Sequence, residues 1–371
     1  MPQLQEWRLL GNPIPNMLLN EADLEAAPLF GSLEVALKYP DQVFKLRLPN
    51  LSKLPEGLDQ LPNLQELILS NGRLQALPPE IGQLKNLQKL SVINNKLKEF
   101  PPEIGQLAHL KEIQASMNDL NYLPESLGDL KSLKVLNLNQ NELYDLPRSL
   151  GKMDSLKKLV LSNNQFNQLP AEIGDIPNLK DLQVMNNKLL NLPPSLEKLK
   201  KLEKFNLMGN RLQKLPDEMG NLNALKGLDL RGNILDELPP SLGKLKNLEN
   251  LNLRENLLQE LPAELGGMEQ LQNLDLWGNQ LKGLPPEIGQ LQNLESLNLW
   301  GNQLNGLPAE IGQLKNLQNL DLWGNTLQKL PDEIGQLENL KSFRLDYAKL
   351  PAFEKTRLRQ VLNNRNTVFK F

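Results

Sequence analysis

Residues 271–293 read LQNLDLWGNQLKGLPPEIGQLQN, and close variants of this stretch return every 23 residues along most of the chain. Twelve such blocks follow one another without insertion or deletion, from Leu64 to Asn339. A constant period of about 20 to 50 residues is typical of a solenoid, in which one block cannot bury its own apolar face and packs against its neighbours. The repeat therefore predicts one elongated array of stacked blocks.

Each block has a strand half and a turn half. In the quoted block, Leu274 and Leu276 alternate with polar or aromatic residues, which predicts a short strand with the leucines in the core. Asn279 stands where the chain leaves the strand, and eleven of the twelve blocks have Asn at this place. A buried Asn side chain can bond the backbone of its own turn and of the neighbouring turn. We therefore interpret these residues as a structural ladder.

The turn half of the block is expected to be helical. Pro286–Ile288 predicts a short helix, because proline suits the first helical turn, and Gly289 is expected to supply a left-handed exit from it. Helical turns are wider than strands, so stacking predicts a curved array with its strands about 4.8 Å apart on the inner arc. The expected fold class is α/β, a right-handed horseshoe with a concave parallel β-sheet and short helical turns on its convex side.

This pattern resembles that of leucine-rich repeat proteins. From about Phe44 to Leu350, the 23-residue LPxEIGxLxxL form is similar to the intracellular Ras-group and Scribble/Erbin-type repeats, which are also abundant in bacteria. The resemblance implies a leucine-rich repeat solenoid that acts as a binding scaffold, usually through its concave face. It implies no set of catalytic residues.

The two ends of the chain depart from the repeat, and we interpret them as caps. Residues 1–40 are expected to form an N-terminal helical cap, with helices at Glu21–Ala27 and Ser32–Tyr39. The solenoid is expected to occupy residues 41–351, divided into a degenerate first repeat (41–63), twelve regular repeats (64–339) and a partial last repeat (340–351). Residues 352–371 predict a C-terminal helix–strand cap, with its strand at Thr367–Phe371, in which Phe353, Leu358 and Val361 cover the last core layer.

Composition argues against several classes of protein. The net charge of −3 comes without a basic stripe, which gives no support to nucleic-acid binding. No apolar run reaches the roughly 18 residues of a membrane span. The chain has no cysteine and one histidine, His109, so neither a thiol nucleophile nor a zinc site is expected. We therefore expect no enzyme activity, no cofactor and no metal ion. The first twenty residues make a poor signal peptide, so a cytoplasmic location is expected. We also expect a monomer.

One outward strand position changes along the array. The residue after the second strand leucine is mostly small and polar in the early blocks, then methionine, then arginine and finally tryptophan. Asp or Asn stands two residues before each arginine and tryptophan, and glycines such as Gly301 and Gly324 leave room for the rings. Exposed Trp and Arg rimmed by polar groups are typical of binding hot spots. The candidate partner-binding residues are Arg231, Arg254, Trp277, Trp300, Trp323, Asp229, Asp275, Asn298, Asp321 and Tyr347.

The favoured function is a non-catalytic protein–protein interaction scaffold that binds a partner protein through this Trp/Arg strip. A row of tryptophans beside Asp and Asn also suits a glycan or peptidoglycan fragment. A host-directed bacterial effector without an enzyme domain is a third possibility. The last three blocks are near copies (LDLWGNQL, LNLWGNQL, LDLWGNTL), so duplication of one tryptophan, with the rings stacked on each other, remains an alternative explanation of the strip.

Overall fold

The computed structural model describes residues 17–362 and 368–370. The chain divides into two compact units, Met1–Leu179 and Lys180–Phe371, and each contains short parallel strands that alternate with 3₁₀ helices. This is the solenoid that the 23-residue period predicts. In the described part of the chain, no helix is both long enough and apolar enough to cross a membrane.

The described part of the first unit contains two short α-helices, α1 (Glu21–Ala26) and α2 (Leu33–Ala36), at the places where the sequence predicts helices. The Asn20 side chain caps α1 by accepting the backbone N–H of Asp23 at 2.9 Å. Each strand of this unit pairs in parallel with the next: β1 (Leu29–Phe30), β2 (Lys45–Arg47), β3 (Glu66–Ile68), β4 (Lys89–Ser91), β5 (Glu112–Gln114), β6 (Val135–Asn137) and β7 (Lys158–Val160). The 3₁₀ helices of this unit are Pro40–Gln42, Leu58–Gln60, Pro79–Gln83, Pro102–Gln106, Glu125–Asp129, Arg148–Lys152 and Ala171–Asp175.

The second unit carries the tryptophans of the candidate site. Its strands also pair in parallel, each with the next: β8 (Asp181–Gln183), β9 (Lys204–Asn206), β10 (Gly227–Asp229), β11 (Asn250–Asn252), β12 (Asn273–Asp275), β13 (Ser296–Asn298), β14 (Asn319–Asp321), β15 (Ser342–Arg344) and β16 (Val368–Lys370). The 3₁₀ helices are Pro194–Lys198, Asp217–Asn221, Pro240–Lys244, Ala263–Gly267, Pro286–Gln290, Ala309–Gln313, Asp332–Gln336 and Tyr347–Lys349, and the helix α3 (Ala352–Leu362) follows.

The buried asparagines form the predicted ladder. The Asn256 side-chain amide donates to the carbonyls of Leu253, in its own block, and of Leu230, in the block before, both at 3.1 Å. Its oxygen accepts the backbone N–H of Leu235 at 3.1 Å. With a further bond to the Arg254 carbonyl at 3.2 Å, one side chain bonds four backbone groups in two blocks, and buried polar groups require such partners. This bonding holds neighbouring blocks in register.

The expected role of Gly289 as a left-handed exit is wrong. The glycines with positive φ lie elsewhere in the chain, and Gly289 is not among them. A Cβ at Gly289 would lie 2.5 Å from the carbonyl oxygen of Glu310 in the next block. The glycine is therefore needed because the 3₁₀ helix Pro286–Gln290 packs against the next one, Ala309–Gln313, at backbone contact distance.

The C-terminal helix α3 corrects one further expectation. Leu358 is buried and Val361 is half-buried, but Phe353 is 66% exposed, so its predicted burial is wrong. The helix instead turns Glu354 inward, and this side chain is fully buried. Phe353 is the adjacent residue, and one step along a helix rotates the side chain by about 100°. β16 lies within the predicted closing strand, and residues 367 and 371 of that prediction fall outside the described part of the chain. The predicted cap boundaries at residues 40 and 352 stay predictions.

Glu354 and Arg357 together satisfy the backbone of Leu330. Glu354 Oε1 accepts the Leu330 N–H at 3.0 Å, and the Arg357 guanidinium donates to the Leu330 carbonyl oxygen and to both oxygens of Glu354. The hydrogen bonds from Arg357 hold the pKa of the Glu354 carboxyl below its ordinary value, although burial acts in the opposite direction. The ionised carboxylate is thus the form that stabilises the packing of α3.

This pair predicts a pH-dependent contribution to stability. Because the folded pKa is lowered, the contribution of Glu354 is present above its unfolded pKa and is lost as pH falls through the folded value. We expect Glu354→Gln to lower the free energy of unfolding by about 1–3 kcal/mol at pH 7 and by less at pH 3, below the ordinary glutamate pKa of about 4.3. Denaturation followed by circular dichroism at the two pH values measures this difference. Glu338→Gln, at an exposed site in the same unit, is the control; equal losses for both variants would contradict the role of Glu354.

Candidate functional site

The five arginines and tryptophans of the predicted strip share one position in five successive blocks. Each lies two residues beyond the end of its strand, from β10 to β14, and the register of these strands is continuous. At a strand spacing of about 4.8 Å, the row is about 20 Å long. All five side chains are half-buried, so the strip is less exposed than the sequence suggests but is not part of the core: Arg231, Arg254, Trp277, Trp300 and Trp323.

Three members of the row form a stack. The rings of Trp277 and Trp300 lie with their centroids 4.9 Å apart and their planes inclined by 18°. The guanidinium of Arg254 lies 4.0 Å from the centroid of the Trp277 ring. Such aromatic pairs contribute about 0.5–1.5 kcal/mol beyond their buried area, and a cation over an indole adds about 0.5–2 kcal/mol. We call the Arg254–Trp277–Trp300 stack the ladder.

The glycines behind the row leave room for the rings, as predicted. Gly301 and Gly324 have φ of 65° and 70°, in the left-handed region that glycine adopts readily. A Cβ on Gly301 would lie 3.5 Å from the Trp277 ring, and one on Gly324 would lie 3.1 Å from the Trp300 ring. The Trp277 and Trp300 rings therefore each lie against the glycine of the following block, which covers part of the ring.

The acidic and amide residues beside the row have a structural role that sequence reasoning missed. The side-chain oxygens of Asp275, Asn298 and Asp321 accept the backbone N–H groups of Trp277, Trp300 and Trp323 at 3.0–3.2 Å. Asp229 does the same for Arg231 at 3.0 Å. These are local turns in which an Asp or Asn side chain bonds the backbone two residues later. The spacing of Asp or Asn two residues before each tryptophan was the available signal.

Carboxylates also neutralise the arginines of the site. Arg254 Nε lies 3.7 Å from Asp275 Oδ2, and both side chains are about 30% exposed. Burial raises the pKa of the Asp275 carboxyl, against the opposing effects of the Trp277 N–H and Arg254. Arg344, which sequence reasoning missed, donates to Asp321 at 2.9 Å, and its guanidinium lies 5.6 Å from the Trp300 ring and 5.9 Å from the Trp323 ring. Aligning the partial last repeat with the full repeats could have identified Arg344, because it occupies the same strand position as Asp321 and is in register with it across β14 and β15.

Arg231 and Tyr347, two of the predicted residues outside the ladder, have contacts of their own. Arg231 directs its guanidinium to the sulfur of Met208. Tyr347 belongs to the surroundings of α3: its hydroxyl donates to the carbonyl oxygen of Lys355 at 3.1 Å, and Lys355 and Arg359 lie near its ring. Within residues 17–362 and 368–370, no group of three or more His, Asp or Glu residues is arranged to hold a metal ion.

An open groove adjoins the ladder on the same strand face. Its volume is about 550 Å³, and its lining comes from strands β8 to β12 and from residues just before them. Gly227 lies in its middle strand, and Asp275, which bonds the Trp277 backbone, lies at one end. Its other polar lining residues are Asp181, Gln183, Lys204, Asn206, Lys226, Asp229, Glu249, Asn250, Asn252 and Asn273.

Stacked parallel strands, asparagine ladders and repeated 3₁₀ helices define a class of solenoid binding proteins, and comparison with known families agrees. A family model described as a leucine-rich repeat region matches residues 53–159 and 287–364, and two models of the leucine rich repeat match residues 177–235, 223–281 and 155–176. The chain belongs to the leucine-rich repeat family. Among solved structures, a leucine-rich repeat protein of Leptospira interrogans is 37% identical, with a TM-score of 0.72 over 93% of this chain and 100% of that chain.

Two plant receptor structures are also similar. The plant peptide hormone receptor RGFR1, in complex with RGF2, is 27% identical with a TM-score of 0.70; the match covers 88% of this chain and 61% of the receptor chain. The ectodomain of the Arabidopsis receptor kinase HAESA, in complex with an N-terminally extended IDA peptide hormone, is 28% identical with a TM-score of 0.68, over 86% of this chain and 57% of that chain. This chain thus spans less than two thirds of either receptor chain. No curated protein matches the sequence significantly.

The ladder predicts an energetic coupling between Arg254 and Trp277. In a double-mutant cycle with Arg254→Leu and Trp277→Leu, we expect a coupling of about 0.5–2 kcal/mol, because each residue stabilises the other through the cation–π contact. Denaturation followed by circular dichroism measures the three variants and the wild type. Arg211→Leu, at an exposed arginine of the same unit, should be additive with Trp277→Leu. A coupling of zero for the Arg254 pair would contradict the stack.

Proposed function

We propose that this chain is a non-catalytic protein-interaction scaffold, and that its partner protein binds over the strip formed by Arg231, Arg254, Trp277, Trp300 and Trp323. The leucine-rich repeat fold is commonly a protein–protein interaction module. The observation that carries the proposal is the ladder, in which two indole rings and a guanidinium are stacked half-buried on the outward face of the strands. Tryptophan and arginine are the residues most enriched in binding hot spots.

The stacking favours binding for an energetic reason. Ordering a free side chain at an interface costs about 0.5–1.5 kcal/mol, so a side chain that is already held in place binds with a smaller loss of entropy. Arg254 and Trp300 come from the blocks on either side of Trp277, and Asp275 accepts a hydrogen bond from the Trp277 backbone and forms an ion pair with Arg254. These contacts support a pre-organised apolar surface that a partner can cover.

The ion pairs change the expected role of the arginines. Arginines in an interface can select an acidic group of the partner, but here Arg254 is paired with Asp275 and Arg344 with Asp321. Their charges are thus largely balanced within the protein. We therefore propose that Arg254 and Arg344 chiefly hold the rings, and that the partner contributes apolar side chains rather than an acidic cluster. Asp229, Asp275, Asn298 and Asp321 contribute by shaping the backbone under the strip.

The contacts of Trp277 make a glycan a weaker candidate. Sugars stack on the open face of an aromatic ring. The Trp277 ring, in contrast, is already in contact with Arg254 from the preceding block and with Trp300 from the following block. The solved complexes of the two similar plant receptors are with peptide hormones, which is a property of those proteins and supports a polypeptide partner here. A bacterial source, a cytoplasmic location and a monomeric state stay predictions.

Affinity capture with the intact chain tests the proposal. A partner retained by the wild type should be lost with the Trp277/Trp300/Trp323 triple alanine variant. With the purified partner, single Trp→Ala changes should each weaken binding by about 1–2 kcal/mol, because each removes an apolar anchor. Ile93→Ala, at the same position of an early block in the first unit, is the matched control and should leave the affinity unchanged. Undiminished binding by the triple variant would overturn the proposal.

A further inference from the structure

Gly227 is the only glycine within the strands that the structure describes. A glycine inside a strand is unfavourable, because it loses more backbone entropy on folding than other residues and has no side chain to pack. The preceding and following blocks have Lys204 and Asn250 at the same position, so the strand geometry accepts larger residues. The presence of glycine in β10 therefore needs an explanation.

The fold itself supplies no reason for this glycine. Its φ is outside the left-handed region, and a Cβ built on Gly227 would have no atom within 4 Å. In contrast, a Cβ on Gly289 or on Gly243 would collide with backbone of the next block, at 2.5 and 2.0 Å. Gly227 thus leaves space open above the strand face. A strand glycine of this kind often marks a place where a ligand or another backbone approaches closely.

The groove over Gly227 carries amide groups on both sides. In Asn206 and Asn252, the side-chain oxygen accepts a backbone N–H of its own block, at 3.0 and 3.2 Å. Asn273 donates to the oxygen of Asn250 at 2.7 Å. Four side-chain groups are left without a partner among the described residues. They are the amide nitrogens of Asn206, Asn250 and Asn252 and the side-chain oxygen of Asn273. Donors and acceptors are therefore both available on the groove surface.

The charges along the groove do not favour one sign. Lys204 and Lys226 lie among Asp181, Asp229 and Glu249, so a strongly acidic or strongly basic ligand would meet like charges as well as opposite ones. A ligand with alternating neutral donors and acceptors matches the lining better. The main chain of an extended polypeptide has such a pattern, whereas a helix satisfies its own N–H and C=O groups internally.

We propose that an extended segment of the partner protein crosses the strands at Gly227, with its main chain bonded to the groove asparagines and its apolar side chains on the ladder. This inference rests on the proposed function and decides between an extended segment and a helix. Because Asp275 lines the groove and also bonds the Trp277 backbone, one segment can occupy both places. At about 3.3 Å per residue, the 20 Å strip accommodates roughly six residues of the segment.

The test uses random 12-residue peptides displayed on phage and selected on the full chain. Selected peptides are synthesised, and their affinities are measured for the wild type, Trp300→Ala, Gly227→Gln and Gly283→Gln. A Cβ at Gly283 also meets no atom within 4 Å, but this exposed glycine lies outside the strands, so Gly283→Gln is the matched control. We expect Gly227→Gln to weaken binding at least tenfold without lowering the melting temperature. Gly283→Gln should change the affinity less than twofold.

The peptide backbone supplies a second measurement. N-methylation of single peptide bonds should weaken binding at least fivefold at those residues whose N–H faces the groove, and helix-stapled versions of the same peptides should bind more weakly than linear ones. If Trp300→Ala weakens binding but Gly227→Gln does not, or if stapling improves it, the extended segment is overturned while the proposed function stands. Peptides insensitive to both substitutions would contradict both proposals at this strip. A selection that yields no binding peptide overturns the extended segment, and the capture experiment still tests the proposed function.

Discussion

Hydrogen bonds from one buried asparagine per block hold the repeated backbone together. Asn256 satisfies the carbonyls of Leu230 and Leu253 and the N–H of Leu235, and Asn279 and Asn302 form equivalent bonds one and two blocks further on. Because these groups are buried, losing the amide would leave several of them unsatisfied at once. The constraint forces each strand into the same register as the one before. Every outward position consequently becomes a column of side chains about 4.8 Å apart.

The ladder follows from this register. Side chains at the same position of adjacent blocks are neighbours, so Trp277 and Trp300 stack and Arg254 covers the next ring face. Gly301 and Gly324, which follow Trp300 and Trp323, have two functions at once: each adopts a left-handed backbone and leaves room for the ring of the preceding block. Blocks without a tryptophan have glycine at that backbone position in two cases, Gly209 and Gly232, but others have residues such as Asn186 and Glu255, so the turn alone does not require glycine. The stacking predicted by the duplication hypothesis is therefore present, and it is compatible with binding because it orders the rings.

The polar surroundings have more than one role. The Asp and Asn residues beside the ladder were expected to face a ligand, but their oxygens are committed to backbone N–H groups of the turn. The side-chain nitrogens of Asn206, Asn250 and Asn252 and the side-chain oxygen of Asn273 are the amide groups left for a ligand in the groove. Glu354 illustrates the same principle in α3, where a buried carboxylate is tolerated because the Leu330 N–H and Arg357 bond it fully. In each case a buried polar group is stabilised by hydrogen bonds to specific backbone or side-chain groups.

The period of 23 residues was sufficient to predict the parallel strands, the buried leucines, the asparagine ladder and the row of tryptophans, because all of these depend on spacing along the chain. What depends on distances between blocks could not be obtained in this way. The collision that requires Gly289, the half-burial of the rings, the contact of Arg344 with Asp321 and the open space above Gly227 all arise between residues about 20 or more positions apart. The inward turn of Glu354 instead of Phe353 was likewise decided by packing, since only the tertiary structure brings α3 to the backbone of Leu330. The spacing of the repeat in the sequence determined which residues occupy each column. Contacts between neighbouring blocks in the folded chain decided which atoms of these residues remain free to bind a partner.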